Sequence, residues 1–371
     1  MRIALVIERF EPQGGGAEAV AWRVAQGLAE AGDQVHVLAR EAPPGAQPDA
    51  LRIRVLRVPA TWQPLRVALF SRAAAQAARE LGVDLVHSFS RTLRQDVFRA
   101  GGGCHAAYMQ RAYSPAGARW RRLSPRHAML LGIEEAVLRD PHQIIQCNSA
   151  MVQREFTARY ALAPERVVVI PNGVDLLRFA PGIHAAAATR LRERYAPGAR
   201  RVWLLAGSGF RRKGLDTALR ALDLSSDPDA RLWVAGGDDP RPWQARARAQ
   251  GLAGRVSFLG PRRDLPRLYA AADALLLPTR YDAFANVCLE AAASALPVVT
   301  SDANGAAEWL GAGAMRVTDP ENAEGFAAAL DALRDPQRRA LVGQEGRRRA
   351  EGASWDAHIA ALRALYAKVA A

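Results

Sequence analysis

A chain of 371 residues, half of them apolar, has the length and apolar content for two domains with full cores. Three cysteines, Cys104, Cys147 and Cys288, odd in number and far apart, exclude a disulfide framework and a zinc spacing and point to a reducing compartment; no apolar run approaches ~18 residues, so no spanning helix is expected. The formal net charge of +13 favours anionic partners but singles out neither half: residues 1–172 carry 22 basic and 15 acidic side chains, the remainder 28 and 22.

The first half alternates strands and helices. Residues 2–7 read as a buried strand that runs into Glu8-Arg9, and the apolar stretch is too short for a signal peptide. Gly14-Gly15-Gly16 follows, then a helix over about 17–31, stopped by Gly32, and a strand over 34–39. Strand, glycine loop, helix, strand is a Rossmann-type opening. It is neither G-x-G-x-x-G nor a P-loop, which argues against a dinucleotide oxidoreductase. The three glycines serve either a tight turn or the close approach of backbone to a substrate or diphosphate. Strands over 51–58, 83–87 and 96–100 come next, with a helix over 65–81. The last strand runs into Gly101-Gly102-Gly103-Cys104-His105, and a histidine after such a turn is either structural or able to reach a ligand. From Val97 to Ile133 there is no acid, against Arg99, Arg111, Arg119, Arg121, Arg122 and Arg126, with Tyr108, Tyr113 and Trp120 interleaved. That window is either a solvated face or a contact with an anionic membrane surface. Strands over 143–147 and 166–170, with a helix over 150–160 between them, complete this half.

Pro171-Asn172-Gly173-Val174-Asp175 breaks the pattern and marks a domain boundary. A strand over 201–206 then leads into GSGFRRKG, Gly207 to Gly214, and a helix from about 215. Small residues with Arg211, Arg212 and Lys213 at a strand-to-helix turn suit a diphosphate, which amides approach and fixed cations neutralise; the plain alternative is a basic surface turn. Strands over 232–235 and 256–259 end in Gly236-Gly237 and Gly260-Pro261-Arg262-Arg263. The apolar run 274–277, closed by Pro278, reads as a buried parallel strand. A loop with Asp282 follows, then a helix over 285–294 containing Glu290, and a strand over 298–301 opened by Pro297. Gly305 and Glu308 are expected in a loop, followed by helices over 321–333 and 336–351 and a last helix from Trp355.

One carboxylate at a strand's carboxyl end and another in the next helix lie where open α/β sheets bind ligands. The amides of Phe284, Ala285, Asn286 and Val287 open that helix, where orphan N–H groups and the dipole favour an anion. Carboxylates accept hydrogen bonds from hydroxyls, so acids on either side of a phosphate site suit a nucleotide sugar. Two unrelated solvated acids would look the same from spacing alone.

Thr279–Val299 resembles the acid-x7-acid motif of the family-4 retaining glycosyltransferases, whose two-domain fold is called GT-B. Their first acid is usually Glu, where this chain has Asp282, and their A-x-G-x-P reads Ala293-Ser294-Ala295-Leu296-Pro297. GGGAEAV resembles the family's G-G-x-E opening, with Gly15, Gly16 and Glu18 at matching positions. PNGVDLLRF, residues 171–179, matches the family's interdomain motif letter for letter. DVFRAGGGCHAAYMQR resembles the glucosyltransferases of the lipopolysaccharide core that modify inner-core heptose. The resemblance covers essentially the whole chain.

It implies an α/β architecture of two Rossmann-like domains facing across a cleft (GT-B). Residues 1–172 would bind the acceptor, 173–353 the nucleotide sugar, and a C-terminal helix over 354–371 would pack back on the first domain. The implied reaction is transfer of glucose from UDP-glucose, with retention, onto a lipopolysaccharide core heptose. The alternative is another family-4 transferase with a different donor sugar, in capsule, exopolysaccharide or glycolipid synthesis. By the resemblance, Arg212 and Lys213 would hold the donor diphosphate, Glu290 the ribose, and Asp282 the donor sugar. Arg262 would lie by the base, Gly15, Gly16 and the 284–287 amides would serve the donor, and His105 would stand near the acceptor hydroxyl. Neither metal nor cofactor is expected, because fixed cations would replace a metal, and no nucleic-acid partner is expected. The enzyme is expected in the cytoplasm, peripheral on the inner face of the membrane through about 97–133, where a lipid-linked saccharide acceptor would lie.

Overall fold

The computed structural model describes residues 1–12, 14, 16–42, 51–59, 62–112 and 115–370, without the side chains at 112, 115, 118 and 122. The chain divides into two compact units, Met1–Gly173 with Trp355–Ala371, and Val174–Ser354.

The first unit is built on seven parallel strands: β1 (Arg2–Arg9), β2 (Gln34–Glu41), β3 (Leu51–Val55), β4 (Leu85–Ser88), β5 (Val97–Arg99), β6 (Ile144–Cys147) and β7 (Val167–Val169). They lie in the order β3-β2-β1-β4-β5-β6-β7. β1 is an interior strand, buried from Ile3 to Ile7, as expected of a parallel strand covered on both faces. The helix Gly16–Glu30 buries Val20, Ala21, Val24, Ala25 and Leu28, a stripe at helical spacing. The last helix, Trp355–Val369, belongs to this unit, and Ile359, Leu362, Leu365 and Tyr366 join the same core cluster. Gly27 permits the approach, because a Cβ there would stand 2.6 Å from Ile359.

The second unit has six parallel strands: β8 (Arg201–Ala206), β9 (Ala230–Ala235), β10 (Val256–Gly260), β11 (Ala274–Leu277), β12 (Val298–Ser301) and β13 (Ala314–Val317). Their order, β10-β9-β8-β11-β12-β13, is the doubly wound Rossmann order. The direction of winding reverses between β8 and β11, so the loops leaving these adjacent strands diverge and leave a crevice, the usual ligand position in this fold.

One expectation is corrected. Gly305 and Glu308 lie in a short helix, Gly305–Leu310, not a loop; Asn304 caps it by accepting from the Ala306 amide at 3.1 Å. The acid-free window contains three helices, His105–Ala112, Pro115–Arg122 and the start of Pro125–Arg139. Two of its arginines are also spent internally. Arg99 is buried and donates to Asn172 Oδ1 at 2.6 Å, and Arg111 pairs with Glu155 at 2.9 Å.

Candidate active site

The glycine-rich turn after β8 needs its glycines. Gly207, Gly209 and Gly214 have φ of 118°, 81° and 78°, in the left-handed region that side chains disfavour. A Cβ on Gly214 would stand 1.9 Å from the Pro278 carbonyl oxygen, so only glycine lets this turn meet the strand end of β11. The meeting is then stitched. The Arg280 amide donates to the Arg212 carbonyl at 2.8 Å, the Thr279 hydroxyl to the same oxygen at 3.1 Å, and the Arg280 guanidinium to the Arg211 carbonyl at 2.7 Å. Asp238, after β9, holds the other side by accepting from the Gly209 and Phe210 amides at 2.8 and 2.6 Å.

Charges far apart in sequence thereby converge. Lys213 Nζ lies 2.6 Å and Arg212 Nη1 2.8 Å from one oxygen of Asp282, Oδ2. The Asp282 side chain is 14% exposed and Lys213 is 6% exposed, so these two form a largely desolvated ion pair, with Arg212, 36% exposed, closing the triad from its solvent edge. Burial alone would raise the Asp282 carboxyl, but the Lys213 and Arg212 charges and their hydrogen bonds outweigh it and hold it below its ordinary range. The acid sits at its post because its backbone is pinned on both sides: its N–H donates to Ala303, and Gly305 donates to its carbonyl, each at 2.9 Å.

The next helix is Asn286–Ala293, with Ala285 as its first flanking residue. Phe284, Asn286 and Val287 lie in its opening turn as the spacing suggests. The Ala285 amide differs from expectation, because it donates to Asn304 Oδ1 at 3.1 Å and is spent inside the protein. The fully buried Asn304 side chain also donates to Cys288 Sγ and Thr300 Oγ1 at 3.2 and 3.1 Å. It is the tie between the acid loop, β12 and this helix. Glu290 is one turn further along, and its Oε2 accepts from the Tyr269 hydroxyl at 2.8 Å. Burial raises the Glu290 carboxyl above the ordinary carboxylate value, against the opposing pull of Tyr269, Arg178 and Lys213. Arg262 is fixed by its own chain: its guanidinium donates to Asp264 at 2.8 and 2.7 Å and lies over the Tyr195 ring, 5.9 Å from its centroid.

In the first unit, Gly16 opens its helix, while Gly15 lies outside the described residues. His105 opens the helix His105–Ala112 and is 7% exposed. Its Nε2 is 3.0 Å from Nδ1 of His127, with the rings stacked 5.2 Å apart. Glu134, 2% exposed, caps that helix by accepting from the His105 and Ala106 amides at 2.6 and 3.3 Å and from the Tyr160 hydroxyl at 2.8 Å. Burial, then the charges of Arg91, His127 and Arg126, push the His105 imidazole down to about 3. It is therefore neutral at physiological pH and too weak a base to take a proton efficiently.

Sequence reasoning missed Asp238, Tyr269, Asn304, His127 and Glu134. Asn304 before Gly305 was legible as a helix cap. Glu134 is the first acid after the acid-free window. Asp238 and Tyr269 act through contacts that no spacing encodes.

Residues 14–178 match the model described as Glycosyltransferase Family 4, and residues 200–335 the model described as Glycosyl transferases group 1. A GDP-mannose-dependent alpha-mannosyltransferase of Mycobacterium tuberculosis is 30% identical over 323 residues, 82% of this chain and 80% of that protein. The chain is a family-4 glycosyltransferase. Similar to it is the lipopolysaccharide glucosyltransferase WaaG of Escherichia coli, 27% identical over 318 residues, 84% of this chain and 83% of that one. A crystal structure of WaaG, a glycosyltransferase involved in lipopolysaccharide biosynthesis, superposes with a TM-score of 0.83 at 25% identity, covering 99% of this chain and 98% of that one. This gives the glycosyltransferase the GT-B fold, each unit being one of its parallel-sheet α/β domains. A D-inositol 3-phosphate glycosyltransferase of Corynebacterium aurimucosum is 30% identical over 246 residues, 63% of this chain and 58% of that protein. No helix among the described residues of this glycosyltransferase is long and apolar enough to cross a membrane.

Proposed function

We propose that this glycosyltransferase moves glucose from UDP-glucose, with retention, onto a heptose of a lipopolysaccharide core. The observation that carries the donor half is the convergence of Lys213 and Arg212 on Asp282 at the switch point of the second unit. As the glycosidic bond breaks, negative charge develops on the departing diphosphate. Two preorganised cations, Lys213 buried and Arg212 partly exposed, with the opening turn of Asn286–Ala293, stabilise that charge without reorganising. These fixed charges do the work a divalent ion does elsewhere, so the reaction is proposed to run without metal or cofactor. Glu290 takes the ribose hydroxyls and Asp282 a hydroxyl of the donor sugar. Arg262, fixed by Asp264, serves the base as a rigid wall rather than a mobile cation.

The acceptor half rests on the likeness to WaaG and on the first unit. His105, neutral and anchored, would orient an acceptor hydroxyl by hydrogen bonding. Arg119, Arg121 and Arg126 are exposed, and beside them Trp120 and Leu123 are 77% and 75% exposed. Basic and apolar groups side by side suit docking on acidic lipid at the inner face of the membrane, where a lipid-linked saccharide lies. Tyr113 and the Arg122 side chain lie outside the described residues. A mass-spectrometric screen of donor turnover across UDP- and GDP-sugars, with and without heptose-bearing core acceptor, tests the reading. Turnover of UDP-glucose that rises with the core acceptor supports it. The 30% identity to a GDP-mannose-dependent relative favours a second reading, a mannosyl donor, and preferential use of GDP-mannose would replace the first.

A further inference from the structure

Glu290 does not stand alone. Its Oε2 accepts from the Tyr269 hydroxyl at 2.8 Å, and among the described residues none donates to Oε1. Tyr269, in the helix Leu265–Ala271, is 1% exposed, and its ring packs on Phe179 with centroids 5.9 Å apart. Arg178 lies over the Phe179 ring, 5.3 Å from its centroid, and its charge reaches both Tyr269 and Glu290. Thus Arg178-Phe179, the last two letters of PNGVDLLRF, stand behind the one phenol that meets the acid. The terminal torsion of a glutamate is broad, so an unanchored carboxylate presents either oxygen.

We infer that Tyr269 is a positioning residue for nucleotide binding: it fixes Oε2 of Glu290 so that Oε1 is presented to the ribose hydroxyls. This rests on the reading of Glu290 as the ribose acid. A donor held on one oxygen pre-orders the carboxylate before the ligand arrives, which lowers the ordering cost of binding. The same hydrogen bond favours the ionised carboxylate, the form that only accepts. Burial of Tyr269 keeps its hydroxyl protonated, hence a donor, far above neutral pH. The interdomain motif thereby acquires a task beyond breaking the chain: its aromatic residue backs the tyrosine.

The test uses the full chain and calorimetric affinities for UDP and 2′,3′-dideoxy-UDP, with the GDP pair alongside in case that base binds tighter. The wild type is expected to prefer the ribose form by roughly tenfold or more, the size of a hydrogen bond to a charged group. Tyr269→Phe should shrink that preference to a few-fold or less while leaving the dideoxy affinity unchanged. As pH is lowered, it should also lose UDP affinity at a higher pH than the wild type. If Tyr269→Phe keeps both the preference and the pH profile while Glu290→Gln abolishes the preference, the tyrosine inference fails and the ribose reading stands. No preference in the wild type contradicts both. Should Tyr269→Phe not fold, Phe179→Leu removes the ring behind the phenol and is expected to narrow the preference; an unchanged preference there also overturns the inference.

Discussion

At the ends of β8 and β11, two cations meet one carboxylate within 2.8 Å, and the groups around them are charged. Past β5 in the other unit, the turn-and-helix position is occupied by two stacked histidines above a buried glutamate, and the imidazole is held neutral. Both units are Rossmann-like, yet one sets two cations on a single carboxylate at its strand ends, and the other sets a neutral imidazole beside the Arg91–Glu134 ion pair. The difference matches the proposed division, with the donor on the second unit and the acceptor on the first. A nucleotide diphosphate leaves with added negative charge and needs cations fixed in place; a sugar hydroxyl is neutral and needs orientation. In the proposed reaction the two units divide these two chemistries, and the sheet order alone does not reveal which unit does which.

The sharpest way to break this contrast is Lys213→Ala. Loss of one preorganised charge-stabilising group costs roughly 100-fold or more in turnover. His105→Ala is expected to cost less than that, because an imidazole held near 3 contributes orientation rather than proton transfer. Equal losses in steady-state turnover would erase the distinction between the units. Lys213 is buried, not in an exposed turn, so its removal should also lower the melting temperature.

Glu290→Ala sharpens the donor side. It is expected to weaken UDP binding by about tenfold, the loss of a hydrogen bond to a charged acceptor, with a smaller change in turnover at saturating donor. Because burial raises the Glu290 carboxyl, UDP affinity should start to fall on acidification before an ordinary carboxylate would titrate. An affinity flat from pH 7 to 5 in Glu290→Ala, beside a declining wild type, assigns that decline to this acid.

A smaller effect separates the neutral cluster from the charged one through stability. Burial lowers His105 to about 3 and His358 to about 4, against an ordinary 6.5. Between those values and 6.5 the unfolded chain binds more protons than the folded one, so stability falls as pH drops through that window. The melting temperature should decline from pH 7 to 5, and His105→Gln, which removes the cluster's own such group, should flatten the slope. At the exposed helices, Arg119→Glu with Arg121→Glu should weaken co-sedimentation with anionic vesicles, least at high salt, where the surface charge is screened. Binding unchanged by that pair would leave the helices as solvated faces.

Much of the charged candidate site in the second unit was legible in the sequence because it is local. A strand, a glycine turn and two cations are contiguous, and the two acids share one loop and helix. That Lys213 would be buried against Asp282 was not legible, because it depends on β8 and β11 being neighbours, a fact of sheet order. The same holds for Tyr269 and Asn304, which reach their partners across 21 and 19 residues. Gly305 and Glu308 were misread because a six-residue helix has too few turns to show a period. The basic window was read as one charged surface because sequence cannot tell an arginine that finds Asn172 or Glu155 from one that faces water.

The central claim is that Lys213, Arg212 and Asp282 form a fixed-charge site for a nucleoside diphosphate. It is tested most directly by the melting temperature of wild type and Lys213→Ala with UDP in the presence of EDTA. The account predicts a clear rise for the wild type, since a ligand bound to the folded state stabilises it, and little or none for the variant. A rise that vanishes with EDTA, or that Lys213→Ala fully retains, would contradict it.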